Sequence, residues 1–289
     1  ECDDVRITGV RNFNHSNDNN DGLDIDSCSN VVVSDCVIDS MDDALCLKAE
    51  GRGVCRNIAI TNCVVGTHAS AIKLGTGSIG GFENVVVSNC VVRRSAATTM
   101  RHPLGAWGGL AGIDIMAVDG GALRHCIFRG IVIQGVETPI VVRLGNRNSG
   151  HVDEQGYGGQ VTPGGREPQA GPRSRLHDVL FSDIQAWDTG PISSVITGYE
   201  GHPVEDITLR DVTLRAGTPP TAEQLRGEPD WTPWRYPCNR TFGHPLPASG
   251  LAIRHARRVH LHRVSLIPAP GDTRPPLWTQ HVEELNVTD

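Results

Sequence analysis

Aromatic residues are scarce in this 289-residue chain, with 5 Phe, 5 Trp and 3 Tyr, so few bulky anchors are available to a core. Basic residues are outnumbered, 26 Lys+Arg against 33 Asp+Glu, for a net charge of −7. Without a cationic surplus to neutralise a phosphate backbone, nucleic-acid binding is disfavoured. No apolar run approaches the roughly 18 residues of a membrane span, which excludes one. No stretch of helical periodicity exceeds two turns, and no pair of cysteines has CxxC spacing. The Gly-rich stretch 74–81 follows a strand but precedes neither a helix nor a GK[ST] sequence, which argues against a phosphate loop. Neither a start methionine nor a signal peptide opens the chain. Glu1-Cys2-Asp3-Asp4 enters a strand-like stretch at once. A piece of a longer chain, separated from its early coils and any export signal, is therefore expected.

What the chain does have is turns and a repeat. Thirty-three Gly and 18 Pro punctuate it, and a hydrophobic content of 38% is too high and too regularly spaced for disorder. The segment Asn30-Val31-Val32-Val33-Ser34-Asp35-Cys36 recurs as Asn57-Ile58-Ala59-Ile60-Thr61-Asn62-Cys63 and as Asn84-Val85-Val86-Val87-Ser88-Asn89-Cys90. The pattern is apolar, any, apolar, polar, Asp/Asn/Gly, apolar. It also starts at Val5, Cys126, Val179, Ile207 and Val259, and in part at Leu285, with successive spacings of 26, 27, 27, 41, 53, 28, 52 and 26 residues. The larger spacings read as a coil plus an insertion or a weak extra coil.

A second short alternating strand precedes each of these, around Leu23, Leu45, Ile72, Ile113, Ile140, Leu251 and Leu277. Units of this length cannot bury a face alone, so they must stack. The expected fold is all-β, a right-handed parallel β-helix, forming one domain over 1–289 with insertions at about 93–111, 145–173 and 216–249. A propeller needs blades of roughly 40–50 residues, and leucine-rich repeats need a helical half that is missing. Cys36, Cys63 and Cys90 share a repeat position with Val10, Ile131, Ile184, Val212 and Val264, which predicts an internal ladder of small hydrophobes. Buried free thiols are expected there, while a bond between two of Cys28, Cys46 and Cys55 stays open.

Stacking also assembles chemistry. Asp21 lies just before the strand at 23–25, and Asp42-Asp43 just before that at 45–47, one short coil later. Entering through the same turn, the three carboxylates should converge on one face. Like charges so close raise at least one pKa, setting a proton donor beside an ionised partner. Glycosidic bond hydrolysis requires that pairing. Two alternatives remain at this stage: Asp and Asn simply populating turns, or a calcium site.

Asn19-Asn20-Asp21-Gly22-Leu23-Asp24 resembles the Asn-Thr-Asp-Gly-x-Asp motif of the polygalacturonase family of glycoside hydrolases, family 28, and Asp42-Asp43-Ala44-Leu45-Cys46-Leu47-Lys48 resembles its Asp-Asp motif. The resemblance implies a right-handed β-helix, hydrolysis with inversion, Asp42 as general acid, and Asp21 and Asp43 as the residues that hold and deprotonate water. The family's Gly-His-Gly motif should fall before the strand at 72–74. Ser70 stands where its His would be, with His68 two residues earlier, either reaching the site by another route or lying solvated in a turn. Where the family's Arg-x-Lys motif grips a galacturonate carboxylate, this chain has Asp114 and Met116. Lys73 holds the corresponding outward position one coil earlier, and Lys48 and Arg143 fall on the next outward column. Asn19, His68, Ser70, Lys73, Asp114 and Arg143 are thus the candidate substrate contacts, with an Asp114–Lys73 pairing expected.

Three aromatics within six positions, Trp231, Trp234 and Tyr236, either stack on sugar over one end of a cleft or cap a coil edge. Asn14-His15-Ser16, Asn239-Arg240-Thr241 and Asn286-Val287-Thr288 fit glycosylation acceptors. The expectation is a monomeric, cofactor-independent glycoside hydrolase, secreted or periplasmic, cleaving pectic oligo- or polysaccharide, with either exo action or specificity for a different linkage or sugar. A calcium-dependent lyase and a non-catalytic carbohydrate-binding β-helix are the alternatives.

Overall fold

The computed structural model describes residues 1–51, 53–97, 108–148 and 173–289. Arg101, His102, Pro103 and Trp107, and most of the insertion at 145–173, lie outside the described residues. Each coil offers three strand positions. The first is filled by Asp3–Thr8, Ser29–Ser34 and Cys55–Thr61, and the second by Arg11–Asn14, Val37–Ser40 and Val64–Thr67. From Phe82–Arg94 onward the first two merge into one long strand per coil. Leu23–Asp26, Leu45–Ala49, Ser70–Ser78, Ala111–Ala117, Thr138–Leu144 and Ser194–Thr197 occupy the third. Leu251–Ile267 and Leu277–Thr288 run through the third position into the first.

Every pairing between these strands is parallel, to the equivalent strand of the next coil, and such crossovers are right-handed. Val5, Val31, Ile58, Val85, Cys126, Val179, Ile207, Val259 and Leu285 are register partners in unbroken succession. The direct pairing of Cys126 with Val179, and of Ile207 with Val259, makes each wide spacing a single coil with an insertion, not two coils. Ser194–Thr197 carries only Val195 and Ile196 between hydroxyl residues, too short a stretch for alternation to reveal.

The polar positions that frame the repeat have a backbone cause. The residue before each repeat start is left-handed: Asp4, Asn30, Asn57, Asn84, His125, Asp178, Asp206, Arg258 and Glu284, at φ of 54–60°. A second left-handed corner falls at Gly9, Asp35, Asn62, Asn89, Gly130, Asp183 and Asp211. Asn, Asp and Gly tolerate that conformation best. In the early coils the Asn amides also bond upward, Asn30 to Asp3 at 2.7 Å, Asn57 to Asn30 at 2.9 Å and Asn84 to Asn57 at 3.1 Å.

One apolar core runs from Ile25 to Leu261, with Phe128 and Phe181 stacked at 5.2 Å between ring centres. Burying each aliphatic side chain there contributes about 1.5–3 kcal/mol. Cys36, Cys63 and Cys90 are buried, and each thiol donates to the carbonyl two residues back at 3.2 Å. The ladder continues as Cys90, Ile131, Ile184, Val212 and Val264. Val10, in the first coil, is 38% exposed. All nine cysteines are free, so Cys28, Cys46 and Cys55 form no disulfide.

Outward positions of the third strand change character along the stack. They read Asp24, Cys46, Lys73 and Asp114 in the early coils, then Val141, Val195 and Ala252. The later ones are buried because the 216–249 insertion folds back over them, packing Trp231, Phe242 and Leu246 on Val141, Val195 and Ala252. Where the cover stops, a charged cleft opens.

Candidate active site

Asp21, Asp42 and Asp43 do converge: one carboxylate oxygen from each lies within 4.8 Å of the other two. The backbone brings them together. The Gly22 amide donates to the Asp43 carbonyl at 2.7 Å and the Asp42 amide to the Asn20 carbonyl at 3.0 Å, fastening the two turns to each other. Gly22 is required at this contact, since a Cβ there would lie 2.3 Å from the Ile38 side chain and 2.6 Å from the Ala44 oxygen. Together the turns form one wall of a cleft of about 370 Å³, which Asn19, Lys48, Lys73, Thr76, Arg147 and Tyr236 also line.

Each carboxylate has a different setting. Asp43 is buried, accepting from the Ser70 amide at 3.1 Å and from the Lys73 ammonium at 2.6 Å. Asp21 accepts from Lys48 at 2.8 Å, and Lys48 also donates to Asp24 at 2.6 Å. Burial raises Asp21 above the ordinary carboxylate range, against the lowering effect of Lys48. Neither lysine is ion-paired to Asp42. Burial, and then the charge of Asp43, push Asp42 up to about 7, although Lys73 opposes them. One of its oxygens accepts from the Asp43 amide at 2.8 Å. The cluster therefore holds a carboxyl that keeps its proton near neutrality beside carboxylates clamped by ammonium groups. Those ammonium groups occupy the neighbourhood that a calcium ion would need, so the donor set does not fit that ion.

The remaining candidates divide. Asn19 and Lys73 line the cleft. Lys73 is next to Asp114 in register, but its ion pair is with Asp43. Asp114, 3% exposed, instead accepts the Ser70 hydroxyl at 2.7 Å, and among the described residues its other oxygen has no hydrogen-bond partner. Burial raises it to about 7, against Lys73 and Ser70. The expected Asp114–Lys73 salt bridge is thus replaced by two buried contacts that brace Asp43: Lys73 directly, and Ser70 through its amide. His68 is 3% exposed and lies edge-on to His15 at 5.6 Å, so it is not a solvated turn residue. Arg143 points away from the cleft into the 216–249 insertion. It is 2% exposed, its guanidinium donates to the Thr232 carbonyl at 3.0 Å and lies 4.9 Å from the Phe242 ring centre, and burial lowers it to about 10.

Sequence reasoning did not anticipate Thr76, Gly77, Glu50 or Arg147 at the cleft. Tyr236 comes from the aromatic cluster, with its hydroxyl 3.2 Å from Thr76, whereas Trp231 serves the coil-capping role against Phe242 and Trp278. The coil-capping reading thus holds for Trp231, while Tyr236 lies at the cleft. Asn239 is not a glycosylation acceptor in the folded chain: it is 2% exposed and its amide bonds Thr138, Leu110 and Glu137.

The family model for glycosyl hydrolases family 28 matches residues 1–228, a span that includes all three acidic residues. The chain belongs to that family. Among solved structures, its fold is similar to that of the hyperthermoactive exopolygalacturonase of Thermotoga maritima, at 20% identity over 74% of this chain and 43% of the other, with a TM-score of 0.55. It is also similar to the family 28 exopolygalacturonase of Yersinia enterocolitica, at 14% identity over 97% and 43%, with a TM-score of 0.51. The polygalacturonase of Erwinia carotovora ssp. carotovora matches at 22% identity over 73% and 49%, with a TM-score of 0.48. This family 28 chain spans less than half the length of each of these structures. No curated protein matches it significantly. Among the described residues no helix is long and apolar enough to cross a membrane.

Proposed function

We propose that the cleft hydrolyses glycosidic bonds in a pectic polysaccharide, with Asp42 as general acid. The carrying observation is the convergence of Asp21, Asp42 and Asp43, with Asp42 pushed up to about 7 by burial and the charge of Asp43. In the reaction Asp42 donates its proton to the glycosidic oxygen as the bond to the anomeric carbon breaks. Asp21 and Asp43, oriented by Lys48 and Lys73, hold the attacking water and take its proton. Solvent then returns a proton to Asp42 and removes the one gained. Family membership supports inversion, and the lysine clamps favour water-holding over covalent attack by Asp21 or Asp43. The separation within 4.8 Å is shorter than the roughly 6.5–9.5 Å common in inverting enzymes, so product stereochemistry is the sharp test.

Tyr236 and the insertion that carries it bound one side of the cleft, which supports cleavage from a chain end. A polymeric substrate supports action outside the cytoplasm. The calcium-dependent lyase reading loses its support because Lys48 and Lys73 already neutralise Asp21 and Asp43. The deciding experiment measures reducing-end release from a panel of pectic and neutral glycans, with proton NMR of the first-formed anomer. Hydrolysis with inversion, abolished in Asp42→Asn, is expected. Turnover that survives Asp42→Asn would refute the assignment of the acid, and a retained anomer would refute inversion.

A further inference from the structure

The cations of the catalytic cleft are already engaged. Lys48 is held by Asp21 and Asp24, Lys73 by Asp43, and Arg147 by Asp119. They face five carboxylates: Asp21, Asp24, Asp42, Asp43 and Glu50. Among the described residues, this cleft offers an anionic sugar no uncommitted positive charge.

A second cleft, of about 420 Å³, supplies what the first lacks. Its walls carry Tyr199, Trp231 and Trp234, three of the few aromatics in the chain, with Arg173, Arg254 and Glu200. Trp231 packs against Phe242 at 5.0 Å and Trp278 at 6.2 Å between ring centres, which holds its ring in place. The Arg254 guanidinium lies 5.1 Å from the centre of that ring and donates to Gln280 at 2.8 Å. Neither Arg254 nor Arg173 forms a salt bridge among the described residues, in contrast to the three cations of the catalytic cleft. Rigid aromatic rings suit the apolar face of a sugar, and an available guanidinium suits a carboxylate. The volume lies within the roughly 300–1,000 Å³ of ordinary ligand sites.

The two clefts share a wall. The chain segment that places Trp231 and Trp234 in one places Tyr236 in the other. Along the outward column from Lys73, through Asp114, Val141 and Val195, to Ala252 there are four rungs. At ~4.8 Å per rung that is about 19 Å, a span only several linked sugars could bridge. We infer that this second cleft is a remote saccharide-binding site for a uronate unit of the polymer whose other end occupies the catalytic cleft. The inference rests on the hydrolase reading for its choice of ligand.

The test is calorimetric binding to the full chain carrying Asp42→Asn, alone and with Arg254→Ala or Trp234→Ala. The probes are hexagalacturonate, its methyl-esterified counterpart and digalacturonate. Arg254→Ala should weaken hexagalacturonate about tenfold and leave digalacturonate and the methyl ester unchanged. Trp234→Ala should weaken both hexamers and spare the dimer. Unchanged hexagalacturonate affinity in both variants would overturn the site, and equal weakening of the methyl ester by Arg254→Ala would overturn the anionic assignment. Thermal unfolding of each variant identifies a folding defect, in which case Arg254→Lys, which keeps the charge, should restore hexagalacturonate binding. Hydrolysis by the parent and its loss in Asp42→Asn are read separately, so a failed second cleft leaves the catalytic reading standing.

Discussion

Replacing Asp42 by Asn should stabilise the fold while abolishing hydrolysis, and the stabilisation should depend on pH. In the folded chain Asp42 is displaced from 3.8 to about 7 by burial and by the charge of Asp43. A raised carboxyl pKa means that the folded state binds a proton more tightly than the unfolded chain does. Its contribution is therefore most favourable below 3.8 and is lost as pH climbs from there to about 7. At about 1.36 kcal/mol per pH unit the full effect is about 4 kcal/mol. Partial solvent access and shared titration with Asp43 reduce it to about 2 kcal/mol. Asn keeps an oxygen to accept from the Asp43 amide and carries no charge, so it avoids this loss. Urea denaturation should show near-equal stability at pH 4 and an advantage for Asp42→Asn of about 2 kcal/mol at pH 8. A variant less stable than the parent at pH 8, or an advantage that does not change with pH, would refute the reasoning.

Three further outcomes follow from the geometry. Lys73→Met leaves Asp43 buried beside Asp42 without its counter-ion and should cost about 3–5 kcal/mol by urea denaturation, with part of the loss recovered in the double variant Lys73→Met/Asp43→Asn. Asn57→Ala removes the polar side chain that lets a residue with a β-carbon hold a left-handed corner, and with it a rung of the amide ladder, for a loss of about 1–2 kcal/mol. Asn57→Gly should recover the backbone part, and equal losses for the two would show the corner to be unstrained. With eight of the nine thiols buried, a thiol reagent should modify Cys2 rapidly and the other eight only on unfolding; fast labelling of more than one per chain would contradict the buried ladder.

Much of this molecule is legible in its sequence because a solenoid repeats its constraints. Each coil needs a left-handed corner, which Asn, Asp and Gly mark, and inward aliphatics at fixed offsets, so the repeat starts from Val5 to Leu285 follow from pattern, while the pairing across the wide spacings does not, because an insertion and an extra coil leave the same spacing. The convergence of Asp21, Asp42 and Asp43 follows from the same stacking. Side-chain partners do not, because they depend on which way a long side chain turns once it leaves the sheet. Lys73 and Asp114 are register neighbours, yet Lys73 reaches to Asp43 in the preceding turn and Asp114 takes the Ser70 hydroxyl. Arg143 departs from expectation for a different reason: what lies above it is a loop packed from 89 residues away in sequence. One signal for that cover does exist. The outward column turns from Asp24 and Lys73 to Val141, Val195 and Ala252, and an apolar outward row implies something lying on it.

Proton donation depends on Asp42 holding its proton beside the charge of Asp43, and carbon-13 NMR titration of the aspartate side-chain carboxyls reads this directly. Asp42, assigned by loss of its signal in Asp42→Asn, should titrate near pH 7 and move toward the ordinary carboxylate range when Asp43 is replaced by Asn. An Asp42 carboxyl that titrates near pH 4 in the intact protein would contradict its role as the proton donor.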